Sequence, residues 1–369
     1  MTDLPGSYQR PGAVPADDLP GLDLAALRGH LAGRLPLAGE LSGRLLSGGR
    51  SNLTYQVTDG VRDWVLRRPP LGHVLETAHD MTREYRVISA LAPTAVPVPG
   101  AVLLCEDPAV IGAPFYLMER VPGVIYRRDD QLAAVSEKDA VKLADALVDG
   151  LAELHLLDPA AVGLADFGRP DGYLQRQVRR WGRQLAASHS RDVPGFEDLS
   201  TRLAVTVPAG PDTAGGGPNA ARRGTGLVHG DYRLDNVIVD NDDPGVVRAV
   251  LDWEMATLGD PLTDLAMLVM FWDGMAGVGD VITATPAGHP AFPPRSHLLD
   301  RYADRTGFGL DRFAWYLGFA YYKLAVILEG IHYRDTLGRT VGEGFDRIGP
   351  MVPVLVERGR AALDPATKE

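Results

Sequence analysis

Internal disulfides are closed to this chain, because Cys105 is the only cysteine among 369 residues. Long apolar runs are missing as well. No window reaches the roughly 18 consecutive apolar residues that a membrane-spanning helix needs, so no place in a bilayer is expected. A basic block is also absent: the net charge of −11 is spread along the chain, which argues against a DNA or RNA backbone as partner. The opening stretch MTDLPGSYQRPGAVPADDLPG carries acids and prolines where an export signal would have a basic segment and then an apolar one, so a cytoplasmic protein is expected. No GxxxxGK[ST] pattern occurs, which excludes the P-loop route to phosphate binding.

What is present suffices for a folded protein. Hydrophobic residues make up 45% of the chain, enough for a packed core in one large or two smaller domains. Residues 1–20 read as a flexible N-terminal arm, and LDLAALRGHLAGRL after them as an amphipathic helix with Asp23 as its N-cap. Tyr55 and Val57 precede Asp59-Gly60 and Trp64 to Leu66 follow it, which predicts a hairpin of two strands with the Gly48-Gly49 turn in front. Met81, Tyr85 and Ile88 recur at helical spacing and set Glu84 beside the sheet, while VPVPGAVLLCED and APFYLMERVPG supply two further strands. This gives an N-lobe over 21–121, ending at the Pro122-Gly123 turn, and a mainly helical C-lobe over 122–369. In the latter, Leu143, Leu147, Leu151 and Leu154 mark a buried helix. Residues 208–226, dominated by Gly, Pro and Ala, read as a flexible insertion.

The chemistry concentrates in LVHGDYRLDNVIVD, from Leu227. Its apolar ends, Leu227-Val228 and Val237 to Val239, predict buried strands that grip the loop His229 to Asn236 between them, a common way of presenting catalytic groups. A second apolar strand, Ala249 to Leu251, ends in Asp252. If the two strands pair as a hairpin, Asn236 and Asp252 project toward one small volume and offer an amide and a carboxylate oxygen, which suits Mg²⁺ completed by phosphate oxygens and water. Asp231 then lies near the metal without binding it. An Asp placed to accept a hydroxyl proton, an Asn five residues on and a metal-binding Asp after the next strand make up the phosphoryl-transfer arrangement. His229 is expected to hold the loop by hydrogen bonds, and Asp264 to cap backbone amides of the same loop.

His229-Gly230-Asp231, with Asn236 five residues after the Asp, is similar to the protein-kinase loop, and glycine in place of its arginine resembles the aminoglycoside phosphotransferase and choline kinase superfamily. The resemblance runs from about Leu45 to Arg334. GGRSNLTYQVTDG, VLRRPP, REYRVISAL, FYLMERVPG, VLDWEMATLGDPLTDLA and KLAVILEGIHYR bring it closest to the phosphotransferase domains associated with acyl-CoA dehydrogenases. It implies an α+β, protein-kinase-like bilobal fold: a small antiparallel sheet with one packed helix, then the helical lobe. It implies ATP and Mg²⁺ as cofactors, Asp231 and Arg233 as catalytic residues, with Arg233 neutralising the transferring phosphate, and Asn236 and Asp252 on the metal. For the nucleotide it implies a covering turn of Gly48, Gly49, Ser51 and Asn52, a phosphate contact from Arg67 paired with Glu84 (Arg68 being the alternative), and a hinge at Met118, Glu119 and Val121. The partner implied is a small molecule that carries an acceptor hydroxyl, in this branch a hydroxyacyl-CoA, with a functional link to an acyl-CoA dehydrogenase; a homodimer stays open. An antibiotic phosphotransferase is the rival reading within the class, and a nucleotide-binding pseudokinase scaffold the rival outside it. Trp315, Phe319, Tyr322 and Val326 fall at helical spacing and read as a core stripe, with the cations Lys323, His332 and Arg334 near them, a set better suited to an anionic acceptor than to a polycationic one.

Overall fold

The computed structural model describes residues 19–47, 52–71, 80–188, 191–208, 225–278, 283–338 and 345–364. Gly48, Gly49 and Ser51, the N-terminal arm as far as residue 18 and insertion residues 209–224 lie outside the described residues. The chain divides into two compact units, Met1–Ala92 with Pro99–Val121, and Pro93–Val98 with Pro122–Glu369.

The first unit is a five-stranded sheet, β1 (Ser42–Ser47), β2 (Leu53–Thr58), β3 (Asp63–Arg68), β4 (Ala101–Cys105) and β5 (Phe115–Glu119), in the order β1-β2-β3-β5-β4 with every neighbour antiparallel. The β2–β3 hairpin turns where Asp59 and Gly60 predict it. Asp59 accepts the Val61 and Arg62 amides through Oδ1 and the Ala38 amide through Oδ2, which turns a loop carboxylate into a clasp between two segments. Helix α1 (Leu24–Leu31) starts at Asp23, whose carboxylate accepts the Ala25 and Ala26 amides at 2.9 Å. Its Leu24, Leu27 and Leu31 bury with Tyr55, Val57, Leu66 and Leu117 in one apolar cluster, so α1 packs in this unit in addition to the predicted helix. That helix, α2 (Met81–Leu91), is capped by Asp80 and buries Met81, Glu84, Val87, Ile88 and Leu91; Tyr85 stands at the edge of this face.

The second unit is mainly helical: α3 (Asp129–Ala133), α4 (Glu137–Leu156), α5 (Tyr173–Ser188), α6 (Phe196–Val205), α7 (Leu262–Trp272), α8 (Arg295–Thr306), α9 (Phe313–Thr336) and α10 (Met351–Ala362). The leucine stripe of α4 is fully buried, as its spacing predicts, and Trp315, Phe319, Tyr322 and Val326 of α9 are core residues. Between α6 and α7 run four short strands, β6 (Gly226–Val228), β7 (Val237–Val239), β8 (Val247–Val250) and β9 (Thr257–Gly259). They pair antiparallel as β6 with β9 and β7 with β8, so the motif loop leads from the β6–β9 pair into the β7–β8 hairpin. The architecture is α+β and kinase-like, with a small antiparallel sheet followed by many helices. Among the described residues, no helix is long and apolar enough to cross a membrane.

Candidate active site

The loop after β6 is fixed from several sides. Asp264, in the first turn of α7, accepts the His229 amide at 2.6 Å and the Gly230 amide at 2.8 Å, which is the capping role its sequence position suggests. Burial alone would raise the Asp264 carboxyl, but the hydrogen bonds from His155 and the Gly230 amide hold it below the ordinary carboxylate range. His155 in turn has Nδ1 at 2.7 Å from the Tyr302 hydroxyl. His229 Nε2 donates to the Leu251 carbonyl at 2.8 Å, while Nδ1 accepts the Asp231 amide at 3.2 Å. Both imidazole nitrogens are thereby spent in one neutral tautomer, so His229 is structural and not a second base. Tyr232 locks the loop to α4 by donating to the Leu147 carbonyl at 2.8 Å.

Gly230 explains why this loop has no arginine after its histidine. Its φ is +87°, and a Cβ there would stand 2.7 Å from the Met255 Cβ and 2.8 Å from the Met255 carbonyl oxygen. Only glycine fits both the backbone conformation and the space.

The loop brings Asp231, Arg233 and Asn236 together. The Asn236 amide nitrogen donates to the Asp231 carboxylate at 3.0 Å and to its carbonyl at 2.9 Å. Arg233 Nε lies 3.3 Å from Asp231 Oδ1 and 3.2 Å from Asp235 Oδ1, and its guanidinium sits 4.7 Å above the Phe271 ring. Burial works against the Arg233 charge, yet Asp231, Asp235 and Asp252 outweigh it and hold the guanidinium more firmly protonated than usual. Across the β7–β8 hairpin, the Leu251 amide donates to the Asn236 carbonyl at 2.8 Å, which sets Asp252 one residue from that contact. Asp252 has φ +67° and is the only non-glycine residue with positive φ among the described residues. Such a conformation in a residue that carries a side chain stores local strain.

This donor set fits Mg²⁺. With the Asn236 nitrogen turned to Asp231, its Oδ1 is the hard oxygen left over, and the Asp252 carboxylate is the second. Among the described residues, no group of three or more His, Cys, Asp or Glu could hold a metal unaided. A two-ligand site of this kind relies on phosphate oxygens and water for its remaining positions.

In the first unit, the buried Glu84 carboxylate gathers Arg67 Nε at 3.2 Å, the Asn52 amide at 2.6 Å and the Tyr116 hydroxyl at 2.9 Å. Asn52 thus faces Glu84. Arg68 points to the other face of β3 and donates to the carbonyls of Ile111, at 2.9 Å, and Gly21. Of the two arginines, Arg67 is the one paired with Glu84. Met118 is buried in β5, and the amides of Glu119 and Arg120 donate to the carbonyls of Gly100 and Asp63. Among the described residues, the Val121 backbone makes no hydrogen bond.

Asp260, just before α7, is held within the fold: its carboxylate accepts the Leu262 amide and the Tyr316 hydroxyl. The residue that sequence reasoning did not connect to the loop is Lys323, whose ammonium donates to the Gly230 carbonyl at 2.7 Å. His332 and Arg334 lie more than two turns further along α9 and do not join it; His332 packs against Gly349.

Residues 42–316 match the family described as phosphotransferase enzyme family, APH. The chain is 36% identical over 87% of its length to acyl-CoA dehydrogenase family member 11 of Gallus gallus, and 34% identical over 87% to family member 10 of Mus musculus. It spans only 40% and 29% of those proteins. A crystal structure from Ralstonia eutropha JMP134, provisionally described as an aminoglycoside phosphotransferase, superposes with a TM-score of 0.77 at 32% identity, covering 92% of this chain and 97% of the other. The chain belongs to the phosphotransferase enzyme family and is a phosphotransferase with an alcohol group as acceptor, acting on a small molecule.

Proposed function

We propose that the protein transfers the γ-phosphoryl group of Mg·ATP to a hydroxyl of a small metabolite. One observation carries this reading: the Asn236 amide nitrogen is spent on Asp231, which turns the Asn236 oxygen to the other side, and the β7–β8 hairpin sets Asp252 next to that residue as the second oxygen ligand for a cation. Mg²⁺, when bound, would draw charge from the phosphate oxygens as the bond to the leaving group loosens. Asp231 accepts the proton of the attacking hydroxyl. Arg233, held between two carboxylates, neutralises the transferring group, and Arg67, fixed by Glu84, grips the α- and β-phosphates. The unspent Val121 backbone suits an adenine edge, as the hinge expectation requires. Gly48, Gly49, Ser51 and Asn52 remain proposed as the covering turn, and Met118 and Glu119 as the apolar and backbone parts of the hinge that receives adenine beside Val121. The similarity to the acyl-CoA dehydrogenase relatives supports a hydroxyacyl-CoA or a related hydroxylated metabolite as acceptor, and a link to such a dehydrogenase.

The test is ADP release from Mg·ATP over a panel of hydroxyacyl-CoA thioesters, aminoglycosides and macrolides. Asp231→Asn is expected to lower turnover by at least about 10²-fold with ATP binding intact, whereas Asp252→Ala weakens Mg·ATP binding itself. Equal loss of ATP binding in both variants would remove the roles assigned.

A further inference from the structure

The cation nearest the motif loop lies on α9, outside it. Lys323, Gly230 and the Asp264 carboxylate line a small cleft, about 290 Å³ with its opening to solvent included, together with Tyr173 and Gln177 of α5, Thr263 of α7 and Phe319 of α9. The Gly230 carbonyl takes one of the three donors of the Lys323 ammonium. Its other neighbour is the Trp181 ring, 5.7 Å from Nζ, and the Arg180 guanidinium stands 5.3 Å from the centre of the same ring. Two cations therefore share one indole, and among the described residues neither makes an ion pair with a carboxylate. Burial disfavours the Lys323 charge and Arg180 adds to that penalty, while Asp231 and Asp264 oppose it without matching it. Lys323 on the wall of the cleft and Arg180 at the Trp181 ring are like charges whose proximity is costly until an anion settles near them.

Resting on the reading of Asp231 as the proton acceptor, we propose that Lys323, with Arg180 nearby, forms an acceptor subsite, and that the acceptor alcohol carries its own carboxylate or phosphate, which favours a free hydroxy acid over its thioester among the metabolites proposed above. Gly230 immediately precedes Asp231, so an anion held by Lys323 leaves the hydroxyl of the same molecule on the Asp231 side. Phe319 and the Tyr173 ring give the carbon skeleton an apolar wall. A polycationic acceptor is repelled from the same place.

The experiment uses the full chain with Mg·ATP and acceptors in pairs that differ in charge: 3-hydroxybutyrate and its methyl ester, 3-hydroxyhexanoate and its methyl ester, glycerol phosphate and glycerol. The anionic member is expected to have at least tenfold higher kcat/KM. Lys323→Met raises the KM of that member about tenfold and erases the preference; Lys323→Arg keeps most of it. A lysine that only braces the loop would instead lower kcat for both members alike, and that result overturns the proposal, as does a neutral member used equally well by the wild type. Succinate serves as a binding probe independent of turnover. By saturation-transfer NMR the wild type and Asp231→Asn should bind it, Lys323→Met and Arg180→Met should not, and succinamide should bind to none. No succinate signal in the wild type overturns the subsite. Phosphoryl transfer surviving in Asp231→Asn overturns the catalytic reading alone.

Discussion

At Gly230 a missing side chain does what no side chain could. With φ at +87° and Met255 packed 2.7 Å from where a Cβ would stand, Gly230→Ala must move either the loop or the segment after Asp252. We expect it to cost about 1–3 kcal/mol of stability and to lower turnover more than tenfold; thermal melts and ADP release measure the two separately. Asp264 acts through its charge. It is buried, and its carboxyl is held below the ordinary range, so its contribution is full above the carboxylate pKa of the unfolded chain, about 3.9, and fades as pH falls through the lower folded value. Asp264→Asn should therefore lower the melting temperature at pH 7, and the gap to the wild type should close in strongly acid buffer. A gap independent of pH would show that shape, not charge, is what the loop needs. Gly230 was readable as a departure from the kinase pattern, but its reason was not, because Met255 meets it only through the fold.

The elements that the sequence made legible are those with strong local rules. Asp23 and Asp59-Gly60 announce a cap and a turn, and the leucines of α4 mark its buried face. The strands β6 to β8 and their grip on the loop were readable from apolar runs flanking polar residues. Less legible were α5, α6 and α8. Helix α5 is crowded with arginine and buries only Leu174, Val178 and Trp181, so its apolar signal is thin, yet it supplies Tyr173 and Gln177 to the cleft. Helix α8 is held to α4 by charge: Arg301 meets Asp149 twice, at 2.7 and 2.8 Å, and Arg305 meets Glu153 at 2.8 Å. These pairs are partly exposed, and we expect Arg301→Met to cost less than about 1 kcal/mol, a difference that 1 M salt removes in urea titrations. Pairings of this kind, like the Lys323 bond to Gly230, join residues far apart in the chain, and no local pattern reports them.

For the whole molecule, the net charge of −11 does not describe the surroundings of Lys323, so local arrangement and not the chain total decides which acceptor is drawn in. Ligand binding should be visible as global stability. At about 100 times its Kd, Mg·ATP is expected to stabilise the fold by about 2.7 kcal/mol, and EDTA or Asp252→Ala should abolish that gain in thermal melts. A nucleotide effect indifferent to EDTA would remove Asn236 and Asp252 from metal binding.

The lone Cys105, buried at the end of β4, leaves the native surface silent to thiol reagents. A cysteine substituted at an exposed position, such as Val61, 78% exposed, becomes the only sulfur a maleimide can reach, and a pair of such positions would carry two fluorophores. The motions of a turning-over phosphotransferase can then be followed one molecule at a time, with the wild-type thiol left where it is.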